Sequence, residues 1–190
     1  MAQNPILAGA PFRRASFTPA VAVALLCPFR AVFGWGHEGH AVVALIAEHY
    51  MTPAALTRAG DLLGGSTIVA VASWADDYRR DHRETGPWHY INIPLADSKI
   101  DMRRECPKGD CVIGKTEQFL AVLRDPKADR AAKAEALRFV VHFVGDMHQP
   151  LHDEDDGDEG WNRRHVIFDG RPDNLHWVWD TCAYQYSRWN

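Results

Sequence analysis

The sequence predicts a mainly α-helical fold. Apolar residues recur at helical spacing through most of the chain, with proline and glycine punctuating the runs. Length and composition add a bound, because 190 residues with 46% hydrophobic content can bury one core and so predict one domain. The stretch His142–His152, HFVGDMHQPLH, then packs three histidines and an aspartate into eleven residues. A buried helix with hydrogen-bonded histidines needs no such cluster, so the composition points to metal ligation.

The elements follow in order. His37–Tyr50 carries Val42, Val43, Leu45, Ile46 and His49 at helical intervals. Thr52 and Pro53 make a cap and first turn for a second helix running to Leu63, which Gly64 and Gly65 stop. A third helical stretch around Ile68–Arg80 holds Trp74, Asp76 and Asp77. After the break at Pro87, Trp88–Ile93 (WHYINI) is aromatic and β-branched and predicts an extended segment. Pro94–Gly114 reads as loop, and helix resumes over Thr116–Leu123.

The long helix of Lys127–Val144 is rich in Ala, Leu, Arg, Lys and Glu, with Leu137, Val140, Val141 and Val144 as its apolar stripe. His142 and Asp146, four apart, share one of its faces. Pro150 ends it, which predicts His152 on an extended segment and available to a different ion. Asp153–Gly160 (DEDDGDEG) reads either as a solvated loop or as part of a binding site, and it lacks the spacing of a calcium loop. Arg163–Phe168 suggests a short strand or hairpin arm. Asn174 caps a last turn that presents His176 and Asp180 four apart.

The first 34 residues have no acidic side chain, an Arg13–Arg14 pair and an apolar run from Phe17 to Phe29, the signature of a secretory signal peptide. Prolines 19 and 28 leave that run too short for a membrane helix. Small residues before Gly34 suit cleavage, which would make Trp35 the new N-terminus, outside the cytoplasm, secreted or periplasmic, with no membrane anchor. Loss of three arginines leaves 18 basic against 25 acidic residues. Such a surface repels nucleic acid unless several of the acids hold divalent cations, which reverse the local field. Cys106 and Cys111 flank a short PKGD turn and either pair or offer an incomplete thiolate site, while Cys182 is left over.

Collected along the chain, the candidate ligands are His40, Asp76, His89, His142, Asp146, His152, His176 and Asp180. Imidazole with carboxylate suits zinc, and eight donors exceed one tetrahedral site, so several ions are implied. Paired divalent ions suit hydrolysis of phosphoesters.

The ordered motifs WGHEGH, SWADDYR, WHYINIP, CPKGDCV, HFVGDMHQPLH and NLHWVWD resemble those of the S1/P1 nuclease family, relatives of bacterial zinc phospholipase C. The resemblance runs from Trp35 to about Thr181 and implies a trinuclear zinc phosphodiesterase that cuts single-stranded DNA and RNA to 5′-phosphorylated products, with 3′-nucleotidase activity beside it. It implies one zinc on Asp76, His89, His142 and Asp146, a second on the Trp35 amine and carbonyl, His40 and Asp146, and a third on His152, His176 and Asp180. It places Arg79 at the scissile phosphate, and Tyr90, Asn92 and Asn162 against substrate. Tyr90 reads equally as core packing, and His148 as a residue orienting a ligand. A monomer is expected.

The sequence also departs from the family. Trp161 stands where the family has the second glycine of a GGN motif, so its indole is expected to hinder substrate access. Asn92 stands where some relatives have Asp. Members continue past the last ligands, whereas this chain stops ten residues after Asp180, with Trp189 near its end, which predicts a domain of residues 35–190 lacking its C-terminal helices. Two alternatives follow: a phospholipase C-type phosphodiesterase, or an inactive metal-binding remnant.

Overall fold

A computed structural model describes residues 35–182, of Cys182 the backbone alone. The expected signal peptide, residues 1–34, and the tail with Trp189 lie outside the described residues. The architecture is mainly α-helical, as expected. Helix α1 spans His37–Tyr50, α2 Pro53–Leu62, α3 Trp74–Asp81, α4 Met102–Glu105, α5 Val112–Arg124, α6 Arg130–Asp146 and α7 Leu175–Trp177. No helix among the described residues is long and apolar enough to cross a membrane.

The expected Thr52 and Asn174 caps form, and Asp129 adds one that was not expected. Thr52 accepts from the Ala55 amide at 3.2 Å, Asp129 from Ala132 at 2.8 Å, and Asn174 from Trp177 at 2.7 Å. Other boundaries moved. The third helix begins at Trp74, because residues 67–73 turn rather than wind. Trp88 and His89 belong to a 3₁₀ helix, Arg83–His89, whose Pro87 tolerates that φ; only Tyr90 onward is extended. The expected loop of residues 94–114 contains α4, begun by an Asp101 cap, and the start of α5.

Helix α6 is the spine. Its buried face is Ala136, Phe139, His142, Phe143, Gly145 and Asp146, so the most buried face lies one step round from the expected stripe. Phe139 and Phe143 join Ala75, Ile91, Val112 and the Cys106–Cys111 disulfide in one core cluster. Phe119 of α5 stacks on Phe139 with centroids 4.5 Å apart. Leu137 and Val141, on another side of the helix, pack against Ala44, Leu63, Ile68 and Ala72. Apolar contact on two sides thus holds the polar positions 142 and 146 in place between them.

Short strands finish the frame. β1 (Ile93–Pro94) pairs in parallel with β2 (Glu154–Asp155), and the Ile91 amide donates to the His152 carbonyl at 2.8 Å. These bonds lay the Tyr90–Asn92 segment beside the loop that follows α6. β3 (His165–Phe168) and β4 (Arg171–Asn174) form an antiparallel hairpin through an Asp169–Gly170 turn.

Phe139 is 1% exposed and touches rings from three elements. Phe139→Ala is expected to cost about 3–5 kcal/mol, read as a lower denaturation midpoint in urea. A change under ~1 kcal/mol would show that this ring does not anchor the core.

Candidate metal centre and active site

Four elements deliver the first five donors. α1 supplies His40, α3 Asp76, the 3₁₀ helix His89 at its last position, and α6 His142 and Asp146; all five are at most 3% exposed. A second 3₁₀ turn, Pro150–His152, supplies His152, and the final turns supply His176 and Asp180. His152 is therefore in a 3₁₀ turn rather than the expected extended segment. The proline restriction acts one residue earlier, where Gln149 is extended at φ −95° and ψ 107°.

Asp146 is the centre of the arrangement. Its Oδ2 lies 3.0 Å from His89 Nδ1 and 3.2 Å from His142 Nε2, while Asp76 Oδ1 stands 3.9 and 3.7 Å from the same two nitrogens. Its Oδ1 faces the other way, 3.4 Å from His40 Nε2. Beside this pair of donor groups, His152 Nε2 lies 3.1 Å from His176 Nε2, which is 3.3 Å from Asp180 Oδ2. His40 with His142 and Asp146, Asp76 with His89 and His142, and His152 with His176 and Asp180 each gather their donor atoms within 4.8 Å.

Backbone carbonyls fix the imidazoles. His142 Nδ1 donates to Ala72 O at 2.8 Å, His152 Nδ1 to His89 O at 2.8 Å, and His176 Nδ1 to Gly160 O. Each leaves Nε2 as the basic nitrogen facing its cluster. Gln149, wholly buried, donates from Nε2 to Asp180 Oδ1 at 2.6 Å and accepts from the Leu151 amide at 2.7 Å. Gln149 was not among the expected residues, and its one signal is an amide set between the expected ligands Asp146 and His152. Gly145 also escaped the sequence reading: a Cβ there would stand 2.6 Å from His40 Nδ1, so glycine lets α1 and α6 approach closely enough for His40 to reach Asp146.

The donors fit cations. His40 Nδ1 and Nε2, Asp76 Oδ1, His89 Nε2 and Asp146 Oδ1 are buried without a hydrogen-bond partner, a concentration of unmet polar atoms that protein groups alone do not justify. Burial pushes His40 and His89 down to about 4 and His152 to about 3, and lowers His176, keeping these imidazoles neutral. Burial acts the same way on His142, but the charges of Asp146 and Asp76 outweigh it and raise His142 to about 9. Burial would raise Asp146; the His142 charge and the close approach of the His142, His40 and His89 ring nitrogens instead hold it well below the usual carboxylate range. Asp76 is raised to about 6 and Asp180 to about 9, in both cases chiefly by burial.

Around the donors stand the expected substrate residues. Arg79, on α3 one turn after Asp76, has its Nη2 3.7 Å from Asp76 Oδ1. A cavity of about 300 Å³ is lined by Tyr90, Asn92, Asn162, Asp155, Glu159 and His176, among others, which brings the three expected substrate residues together beside a ligand. Tyr90 is 40% exposed, so core packing is not its role. Trp161 does not line this cavity: its indole turns to Glu154, so the expected obstruction is absent at this wall. His148 is exposed and donates to the Val144 carbonyl at 2.7 Å, one turn back in its own chain segment, rather than to a ligand. Trp35 opens the described residues. Its ring packs on Gly39, and the next amide, Gly36, donates to Asp180 O at 2.7 Å.

Among protein groups alone, His142 and Asp180 both retain a proton at neutral pH, and a cation must displace both to use them as donors. Metal loading at about pH 7.5 is therefore expected to release roughly two protons and to strengthen as pH rises toward 9. Calorimetric titration in two buffers of different ionisation enthalpy measures this. Binding heats independent of the buffer would contradict it.

The pattern of the S1/P1 nuclease family matches residues 35–188. Nuclease P1 of Penicillium citrinum is 41% identical over 161 residues, covering 80% of this chain and 58% of its own length. Nuclease S1 of Aspergillus oryzae is 34% identical over 172 residues, 85% of this chain and 58% of its own. Endonuclease 2 of Arabidopsis thaliana is 34% identical over 174 residues, 85% and 60% respectively. The chain thus spans somewhat under two thirds of the length of these relatives. With its ligand motifs in the family order and its donors gathered in one buried cluster, the chain belongs to the S1/P1 nuclease family.

Proposed function

We propose that the domain of residues 35–190 is a zinc-dependent phosphodiesterase that hydrolyses single-stranded DNA and RNA, acting outside the cytoplasm after removal of residues 1–34 as an export signal. The observation that carries this reading is the two-sided Asp146 carboxylate, with a third donor set alongside. Three zincs would use Asp76, His89, His142 and Asp146; the Trp35 amine and carbonyl, His40 and Asp146; and His152, His176 and Asp180. Bound zinc supplies Lewis-acid stabilisation of phosphoryl oxygens and lowers the pKa of water.

The chain's own residues supply position. Arg79 offers a planar fork that matches phosphate oxygens. Its nearness to Asp76 puts that fork at the edge of the cluster. Tyr90 presents an exposed ring on which an unpaired base can stack, and a base inside a duplex is not available to it. Asn92 offers both a donor and an acceptor to a base edge. Asn162 Nδ2 donates to Glu159 O at 2.7 Å, which leaves its carbonyl oxygen for a substrate donor. In the reaction, water oxygen bonds to phosphorus, the bond from phosphorus to the 3′ oxygen breaks, and that oxygen takes up a proton. The product carries a 5′-phosphate. Removal of 3′-phosphates from nucleotides follows from the same geometry.

Single-stranded oligonucleotide and phosphatidylcholine are the discriminating substrates. The zinc-loaded protein is expected to cleave the first and not the second, and chelation or Asp146→Ala is expected to abolish cleavage. Tyr90→Ala is expected to weaken oligonucleotide binding roughly 5- to 150-fold, the equivalent of one stacked base, while sparing a 3′-mononucleotide less dependent on that contact. Hydrolysis of lipid instead of oligonucleotide would replace this reading with the phospholipase one, and three bound zincs with no hydrolysis of either would leave a metal-binding remnant.

A further inference from the structure

Residues Glu159, Gly160 and Trp161 adopt φ values of 62°, 60° and 66°, three left-handed residues in succession. Such a run is sterically unfavourable for glutamate and tryptophan and persists only where its surroundings hold it. Here they do. Asp155 Oδ1 accepts from the amides of Asp158 at 3.0 Å and Gly160 at 3.4 Å. Asp158 accepts from the Trp161 amide at 2.9 Å and, through its other oxygen, from Arg164 Nε at 2.7 Å. The Trp161 indole N–H donates to Glu154 Oε1 at 2.6 Å, and the Arg164 guanidinium lies 5.5 Å from the ring centroid. The acidic run that read as either solvent-facing or ligand-binding is in large part a set of turn acceptors.

The tip of this loop meets the third donor set at the Gly160 carbonyl. Gly160 O accepts from His176 Nδ1, and Gly160 is wedged so tightly that a Cβ would stand 2.8 Å from Leu151 O and 3.6 Å from His176 Nδ1. The neighbouring residue at 161 holds the backbone on one side, and Glu154, anchored in β2 against Ile93, holds Trp161.

The geometry points to the Glu154–Trp161 hydrogen bond as a latch that positions His176: it keeps the Gly160 carbonyl against His176 Nδ1, so that Nε2 faces His152 and Asp180. Trp161 and Glu154 are positioning residues for the third cation, and the inference rests on the reading that this cation is zinc held by those three side chains. A tryptophan in a left-handed position is thereby explained, since its indole N–H supplies a tie that glycine cannot.

The test counts zinc rather than activity. The zinc-loaded protein is titrated with a competing chelator, and the metal retained is measured at each step. Trp161→Phe, which keeps the ring and removes the N–H, and Glu154→Ala are each expected to release one zinc equivalent at 10- to 100-fold lower chelator concentration than the unmodified protein, with the other equivalents unmoved. Glu154→Gln retains an acceptor oxygen and is expected to behave as the unmodified protein. His176→Ala should remove that same equivalent, and adding Trp161→Phe to it should change nothing more. Unchanged release in both Trp161→Phe and Glu154→Ala, or release of all equivalents together with a lowered melting temperature, would overturn the latch. If the unmodified protein holds no zinc that His176→Ala removes, the latch falls together with the three-zinc reading; if it holds three and the variants release them normally, the latch alone falls.

Discussion

Everything in this molecule is arranged around the burial of one carboxylate. Asp146 is fully buried, and an ionised carboxylate in that position is strongly unfavourable unless charge and hydrogen bonds surround it. His40, His89 and His142 approach its two oxygens from different elements, so the side chain that would otherwise destabilise the core becomes its organising point. The same donors that relieve Asp146 are ones a divalent cation can use, and a cation there would satisfy the atoms that the protein leaves unpaired. Stability and function are thus coupled through one residue.

The scaffold serves that coupling by giving α6 apolar contacts on two sides. Phe139 and Phe143 bind it to α5, α3 and the 3₁₀ helix, while Leu137 and Val141 bind it to α1, α2 and the turns before α3. Between these contacts the helix can bring polar side chains into a dry interior without losing its position. His142 shows the consequence: it stacks on His40 with centroids 3.9 Å apart, and its Nδ1 is tied to Ala72 of a neighbouring segment. Rigid packing, rather than loop flexibility, sets the spacing of the donors, which suits ligation geometry that tolerates little error.

Much of this was legible in the sequence because the relevant signals are local. The i, i+4 pairs His142/Asp146 and His176/Asp180, the Thr52 and Asn174 caps, and the gathering of all eight candidate donors emerge from spacing, residue type and family resemblance. What could not be read depends on contacts across the chain. Leu137 and Val141 of the expected α6 stripe do pack against a core cluster, but the face of Phe139 and Phe143 lies outside it, because the helix is packed on two sides and periodicity reports only one. Residues 67–73 turn although their composition permits helix, and the 3₁₀ winding of Arg83–His89 overrides the β preference of its aromatic end. Gly145 and Gln149 carry meaning only once His40 and Asp180 are known to lie against them, more than thirty residues away in Gln149's case and farther in Gly145's.

The net negative charge, which argues against a nucleic-acid substrate, loses that force when the acids are placed. Asp76, Asp146 and Asp180 are buried among the histidines, and Asp155 and Asp158 are engaged in holding the loop after β2. The four that are buried, Asp76, Asp146, Asp158 and Asp180, are withdrawn from an approaching strand, whereas Asp155 lines the cavity beside Tyr90 and Asn92. Each divalent cation held by these donors would add two positive charges, so the local field where a phosphate would arrive would be set by the centre and Arg79 rather than by the sum over the surface. Exposed carboxylates elsewhere are screened within about 10 Å at ordinary salt. Net charge describes how the molecule behaves as a colloid; the site is governed by which acids are buried and what they hold.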